Sequence, residues 1–456
     1  MTTPADDLPL TLDRASAVPL AVQVADGLRG AAGSGVLRRG DRLPSSRALA
    51  ARLGVSRTVV AAAYDRLHAE GWLGGRQGSG TYLLAAPAAA PAAQAPLPSE
   101  AEPGELIDLA PGAPCTAVID RAAWRRAWRA AADRPPATRR DRAGEPAYRA
   151  AVAEHLLRHR GLAAGPEVAV LATTGTGAAV AEIAAAVLPP GSAVAVEDPG
   201  YQRAVGGFLA AGLRVLPVPV DGGGLRVELI PDGVAAVYCT PAHQFPLGSR
   251  MSAERRARLI DLARERRFLV LEDDYDGELR YDTAPLPLLA ALAPDVVVHL
   301  GTTSKILSPT LGAGWLVAAP EVAAAVLAHR DRTGTAPSPA GQLVLAALAA
   351  HGDLAGHLRR LRRVMPARRA LLLAHLTGLD VLGDAAGSHL VVPLPDAAAE
   401  AAAVAAARAR GVLFDGLARH HLGARRHFGV ALGYSAASEP ELAAAARIAG
   451  ECLRRS

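Results

Sequence analysis

Apolar and polar positions follow two different rhythms along the chain, and the change comes after residue 84. In the first stretch the period is helical. Residues 19–32 place Leu20, Val24 and Leu28 on one face of a helix. A turn at Arg39-Gly40-Asp41 follows. Pro44-Ser45-Ser46 then opens a second helix over roughly 45–53, with Ser45 as its N-cap and Leu49 and Leu53 facing inward. Gly54-Val55-Ser56 is a tight turn, and Ser56 caps a third helix running to about Glu70. Two short helices joined by a tight turn containing glycine make a helix-turn-helix. Beyond Gly71, Trp72–Leu84 predicts a hairpin that turns around Gln77-Gly78-Ser79-Gly80, the wing of a winged helix.

Residues 85–104, AAPAAAPAAQAPLPSEAEPG, have no apolar period. Nine Ala and five Pro in that stretch predict an extended, semi-rigid linker. At about 3.1 Å per residue it could span roughly 60 Å, which separates a module at 1–84 from a larger one at 105–456.

In the larger module short apolar runs alternate with helical ones. Strands are expected at 168–173, 193–197, 215–218, 234–239, 268–272, 296–300 and 315–318, and helices at 178–188, 252–266 and 284–292. That alternation predicts an α/β domain with a mostly parallel sheet, in which ligands sit beyond the carboxyl ends of the strands. Polar residues gather at those ends: Thr174-Gly175-Thr176, Asp198-Pro199-Gly200-Tyr201, Thr240-Pro241-Ala242-His243-Gln244, Asp273-Asp274-Tyr275 and Thr302-Thr303-Ser304-Lys305.

Composition sharpens this picture at one residue. Of the 49 Lys and Arg residues, Lys305 is the single lysine. Arginine replaces lysine wherever a fixed positive charge is enough, but it cannot perform amine chemistry. One surviving lysine among five converging strand ends points to a Schiff base with a carbonyl compound such as pyridoxal 5'-phosphate (PLP). On such a cofactor, Asp273 suits the pyridine nitrogen, Tyr275 the phenolate oxygen and Tyr201 the ring face. Thr174, Gly175 and Thr176 at a helix start suit the phosphate, and Thr302 and Ser304 add hydroxyls. Asp276 reads more simply as a turn acid.

Charge is equally localised. Residues 36–80 carry eight arginines against Asp41, Asp65 and Glu70, which accounts for the whole net charge of +5. A small basic module on a neutral body predicts a polyanionic partner, double-stranded DNA. The recognition helix would lead with Ser56, Arg57 and Thr58. The three cysteines lack metal-ligand spacing, and no metal site is predicted. MTTPADDLPL has no apolar core of a signal peptide, and no uncharged run approaches the length of a membrane span. A soluble cytoplasmic protein with no membrane partner is expected.

The stretch LRRGDRLPSSRALAARLGVSRTVVAAAYDRLHAEGWLGGRQGSGTYL resembles the GntR family of bacterial regulators. The motifs CTPAHQFPLG, LEDDYDGELRY, HLGTTSKILSP and HLRRLRR resemble fold-type-I aminotransferases, and together with the first stretch they resemble the MocR group, in which the two are fused. The resemblance implies DNA contacts by Arg47, Ser56, Arg57, Thr58, Gln77 and Gly78; Arg57 reads a base edge, and Arg42 and Arg76 meet phosphates. It implies an internal aldimine at Lys305, Asp273 on the pyridine nitrogen, and Tyr275 with His243 and Gln244 near the phenolate oxygen. It implies stacking by Tyr201, a head-to-tail homodimer, and an effector contact at Arg203.

The chain departs from that pattern at three places. Gly312 stands where the family carries a phosphate-binding arginine, Gly177-Ala178 where it carries Gln-Gln, and Ala431 where an arginine grips a substrate carboxylate. Arg139 is a candidate to replace the phosphate cation, and Arg425 or Arg426 the carboxylate one. The expectation is a PLP-dependent transcription regulator that senses PLP or an amino compound, with at most residual half-transamination. The alternatives are a working aminotransferase with an accessory DNA-binding domain, and a regulator whose large domain only dimerises.

Overall fold

The computed structural model describes residues 8–76, 80–84, 106–163, 165, 167–281 and 286–455. The chain divides into two compact units, Met1–Glu102 and Pro103–Ser456.

In the first unit, helices Leu20–Gly33, Ser46–Leu53 and Arg57–Ala69 precede a hairpin of β1 (Leu73–Arg76) and β2 (Gly80–Leu83). Both expected caps form: Ser45 Oγ accepts from Ala48 N at 3.2 Å and Ser56 Oγ from Val59 N at 3.4 Å. Gly54 closes the second helix in the left-handed region, φ 64°, a conformation glycine adopts without strain. Val24, Leu28, Leu49, Val60 and Leu67 form the core, with Leu73 and Leu83 of the hairpin packed on it. The hairpin turn at Gln77 and Gly78 lies outside the described residues, as does the Arg76 side chain.

The second unit is built on an eight-stranded sheet. Its strands, with the smaller pairs around them, are β3 (Ile107–Asp108), β4 (Ala169–Thr173), β5 (Ala193–Asp198), β6 (Arg214–Asp221), β7 (Gly224–Leu225), β8 (Val234–Cys239), β9 (Leu269–Asp273), β10 (Val297–Thr302), β11 (Gly314–Ala318), β12 (His389–Pro393), β13 (Val412–Leu413), β14 (Asp415–Gly416) and β15 (Gly429–Gly433). The order in the large sheet is β4-β11-β10-β9-β8-β5-β6-β7. From β10 through β6 all neighbours run parallel, whereas β11 is antiparallel to both β10 and β4. Helices cover both faces, and the strands bury apolar side chains on each side, which is why they read as continuous apolar runs rather than alternating ones. A three-stranded sheet, β12-β15-β14, lies in the C-terminal part, and β13 pairs in parallel with β3.

Of the expected helix over 284–292, residues 284 and 285 lie outside the described residues, and among the remainder only Leu289–Leu292 is helical. Pro287 lacks the N–H that an earlier turn would use. The buried Glu272 carboxylate instead accepts from Leu289 N at 2.7 Å and Ala290 N at 3.1 Å.

Candidate functional site

The carboxyl ends of β4, β5, β8, β9 and β10 bring the polar motifs together, because Thr173, Gly314 and Thr302 are in register across β4, β11 and β10. Lys305 follows β10 directly. Its Nζ donates to Gly112 O at 2.6 Å. Burial lowers the amine's pKa, against the opposing pull of Asp276 and Asp273. A neutral amine, the form that attacks a carbonyl, is therefore easier to reach than in free lysine.

Asp273 ends β9 and is buried. Its Oδ2 accepts from Tyr238 OH at 2.5 Å, while Oδ1 has no partner. Burial pushes the carboxyl up to about 7, against the hydrogen bond from Tyr238 and the neighbouring Thr176 hydroxyl, which favour the charged form. A buried carboxylate oxygen without a partner is costly, and a protonated ring nitrogen would satisfy it.

Tyr275 and His243 meet as expected, with Tyr275 OH and His243 Nδ1 3.1 Å apart. The same nitrogen lies 2.8 Å from Asp276 Oδ2. Asp276 is thus not an exposed turn acid. It is 2% exposed and fixes the orientation of the imidazole. His389 completes this cluster, and the three residues bring ligand-type atoms within 4.8 Å of one another. Hydrogen bonds explain the cluster, since His389 Nε2 also meets Pro246 O at 2.9 Å. Burial pulls the His389 pKa down to about 4, so its ring is neutral.

Gln244 is buried beside His243 and its amide is engaged. Its amide donates to Pro199 O at 2.9 Å and Phe245 O at 2.6 Å, and it lies 3.3 Å from Glu197 Oε2. Tyr201 packs edge-on against Phe245, which meets Tyr275 in the same way, with centroids 5.9 Å apart in both pairs. Arg203 is exposed, and its charge bears on both Tyr201 and Lys305.

At the opposite end, Thr176 begins the helix Thr176–Ala186 and Gly175 precedes it at φ 134°. Gly175 N donates to Thr173 Oγ1 at 3.2 Å. Thr302 Oγ1 accepts from Ser304 N at 3.1 Å and lies 3.0 Å from Ser304 Oγ. Gly314 abuts Gly175 so closely that a Cβ on it would lie 2.7 Å from Gly175 Cα. The result is a small cradle of hydroxyls and backbone N–H groups at a helix start, which suits an oxyanion. Thr174 is exposed at its rim.

Gly312 and Ala431, two of the three departures, have clear structural settings. Gly312 is left-handed, φ 54°, and open space surrounds the point where a Cβ would sit. Ala431 is buried on β15, among Val220, Leu247, Val391 and Leu417. Arg425 is occupied: it pairs with Glu400 at 2.5 Å and stands over the Phe428 ring at 4.7 Å. Arg426 is exposed. Arg139 is exposed on the loop between helices Arg121–Ala132 and Pro146–Arg160, and among the described residues it makes no hydrogen bond to the others of this set.

Three contributors have no sequence signal of their own, Tyr238, His389 and the Gly112 carbonyl, and Phe245 lies within CTPAHQFPLG without an expected role. Each reaches the site through a long-range contact. In the first unit, Ser56, Arg57 and Thr58 stand exposed at the start of helix Arg57–Ala69, with the Ser56 and Thr58 hydroxyls 2.7 Å apart. Arg47 and Arg42 are exposed as well.

Two family models divide the chain: bacterial regulatory proteins of the gntR family match residues 20–83, and aminotransferase class I and II matches 104–426. The HTH-type pyridoxine biosynthesis transcriptional regulator PdxR of Corynebacterium glutamicum is 35% identical over 389 residues, covering 84% of this chain and 83% of that protein. The chain belongs to the MocR group of GntR-type regulators. The probable rhizopine catabolism regulatory protein MocR of Rhizobium meliloti is 33% identical over 458 residues, 93% of this chain and 92% of its own length. Among solved structures, Pyrococcus horikoshii kynurenine aminotransferase superposes with a TM-score of 0.71 at 25% identity, over 77% of this chain and 91% of the enzyme. This MocR-group chain therefore joins a DNA-binding helix-turn-helix unit to a fold-type-I aminotransferase-like unit, and both of these curated relatives, which align along most of its length, are transcription regulators. Among the described residues no helix is long and apolar enough to cross a membrane.

Proposed function

We propose that this MocR-group regulator binds PLP through Lys305 and uses the occupancy of that site, by PLP or by an amino compound exchanging onto it, to set how its helix-turn-helix unit engages promoter DNA. The observation that carries the reading is the unpartnered buried Oδ1 of Asp273 in the same site as a half-buried lysine amine of lowered pKa. PLP, when bound, supplies an aldehyde and an electron-withdrawing ring. The chain's own residues hold and orient it: Asp273 at the ring nitrogen, Tyr275 with His243 at the phenol oxygen, Tyr201 on the ring face, and Gly175, Thr176, Thr302 and Ser304 at the phosphate. The name of the Corynebacterium relative, a regulator of pyridoxine biosynthesis, favours PLP itself as the signal.

Ala431 itself offers no charge to a carboxylate, and the residue opposite it across the strand pair is the acidic Asp415, which favours sensing over amino-acid turnover. The phosphate end is the weak point, with Gly312 bare. A homodimer would bring the exposed Arg139 of a second copy within the range of consideration for that cation. Arg139→Ala should lower PLP affinity sharply, and unchanged affinity removes Arg139 from the site. On the DNA side Arg57 leads into the major groove, with Ser56, Thr58 and Arg47 beside it, Arg42 on the phosphates, and Arg76, Gln77 and Gly78 in the wing.

The direct test is a PLP titration of the purified full chain followed by visible absorbance. A saturable band that is absent in Lys305→Ala supports the reading. No band in the parent protein, or an equal one in the variant, rejects it.

A further inference from the structure

We infer that residues 106–118, which lead from the linker into the large unit, form a strap that reads the state of the Lys305 amine through the Gly112 carbonyl and carries it along the chain towards the DNA-binding unit. The inference rests on the reading that Lys305 is the point of carbonyl capture.

The strap is fastened at several places. Ile107 N donates to Gly411 O at 2.8 Å and Leu109 N to Leu413 O at 3.0 Å, while Leu109 O accepts from Gly433 N at 2.5 Å. Ser435 Oγ donates to Ala113 O at 2.5 Å, and Arg360 Nε to Val118 O at 3.1 Å. Between these anchors Gly112 O accepts from Lys305 Nζ at 2.6 Å. Gly112 sits at φ 118°, and a Cβ there would lie 2.9 Å from Nζ. The backbone angle favours glycine, and in that conformation the strap presents its carbonyl to the amine.

Every anchor but one is chemically fixed. The Lys305 amine is not. When it condenses with an aldehyde, the nitrogen lone pair attacks the carbonyl carbon, a C=N bond replaces C=O, and the oxygen leaves as water with the two amine hydrogens. The neutral condensed nitrogen has no hydrogen to donate, and Gly112 O loses its partner. Gly112 is half-buried, and a half-buried carbonyl that loses its donor is less favourable than a bonded one, so the strap shifts towards a looser state. Its N-terminal end continues directly into the linker, so the covalent chain itself can transmit the change.

The test is amide hydrogen exchange on the full chain, free of carbonyl compounds, comparing the parent with Lys305→Met. This variant has an unbranched side chain with no donor. Exchange at Ile107, Leu109 and Gly433 should rise by roughly tenfold to a hundredfold, with β8 and β9 amides unchanged. PLP should produce the same rise in the parent and none in Lys305→Met. Ser435→Ala, which loosens the strap without touching the lysine, should reproduce the rise at Leu109 and Gly433. Promoter-fragment affinity should move in the same direction for Lys305→Met as for the PLP-loaded parent.

The strap is overturned if Lys305→Met and Ser435→Ala both exchange like the parent, or if PLP gives its visible band while the strap amides stay unchanged or become protected. If PLP gives no band at all, the capture reading fails, and the exchange of Lys305→Met still decides whether the amine holds the strap.

Discussion

Replacing Asp273 with asparagine should stabilise the cofactor-free protein while damaging its cofactor site. Burial pushes the Asp273 carboxyl up to about 7 from its ordinary 3.8. The folded state therefore keeps a proton that the unfolded chain releases between those two values. Because the folded-state pKa is raised, stability falls as pH rises from about 4 to about 7, and the loss is complete above the folded pKa. About three pKa units at about 1.4 kcal/mol each set a ceiling of about 4 kcal/mol on the cost of charging Asp273 in the folded protein. Asparagine cannot ionise. Above pH 7 the variant should gain about 2–4 kcal/mol over the parent, and the gain should shrink to nothing near pH 4. Glu197, also pushed up to about 7 by burial, with the Asp273 charge adding to the push, is present in both proteins; removing the Asp273 charge eases its ionisation and adds to the gain in the same direction.

The assay is guanidinium unfolding of the cofactor-free chain at pH 8 and pH 5, read by tryptophan fluorescence through the buried Trp315. The same substitution should sharply weaken PLP binding, because an amide cannot pair a protonated ring nitrogen as a carboxylate does. A variant no more stable than the parent at pH 8, or equally stabilised at both pH values, refutes the reasoning.

Gly312→Arg should raise PLP affinity about tenfold to a hundredfold, the effect of a charge-assisted hydrogen bond. Open space surrounds its Cβ position, while its left-handed backbone adds strain to any side chain there, and unchanged affinity in a folded variant would show that the cradle needs no cation from that position. Arg57→Ala should cost about 1–3 kcal/mol in promoter binding and relax sequence preference, whereas Arg42→Ala should weaken all sequences alike and reduce the salt slope; competition against scrambled DNA separates the two. Asp274→Ala should destabilise the large unit by about 3–5 kcal/mol, because it strands the buried Arg160 guanidinium that Asp274 holds at 2.5 Å; a denaturation midpoint equal to the parent's contradicts this.

The strand-end motifs were legible because each is a polar cluster closing an apolar run, and a parallel sheet leaves few places for such clusters to go. The helix caps at Ser45 and Ser56 were legible for a local reason as well: a short polar side chain, a turn and a following apolar period. What stayed hidden depends on which strands are neighbours. Tyr238 and Asp273 touch because β8 lies beside β9, an adjacency that no pattern within either strand encodes. Asp276 sits three residues beyond Asp273 and looks like a turn acid until β12 brings His389 against His243. Gly112 lies in an APGAP stretch that resembles any turn, and only the fold puts its carbonyl on the lysine. Arg425, a plausible spare cation in sequence, is neutralised by Glu400 across 25 residues.

The account stands most directly on one experiment: promoter-fragment binding by the full chain, titrated with PLP, with visible absorbance recorded on the same samples. The prediction is that DNA affinity changes in step with the absorbance band, at the same midpoint, and that Lys305→Ala shows neither change. DNA affinity that stays constant while the band saturates, or that responds to PLP in Lys305→Ala, contradicts it.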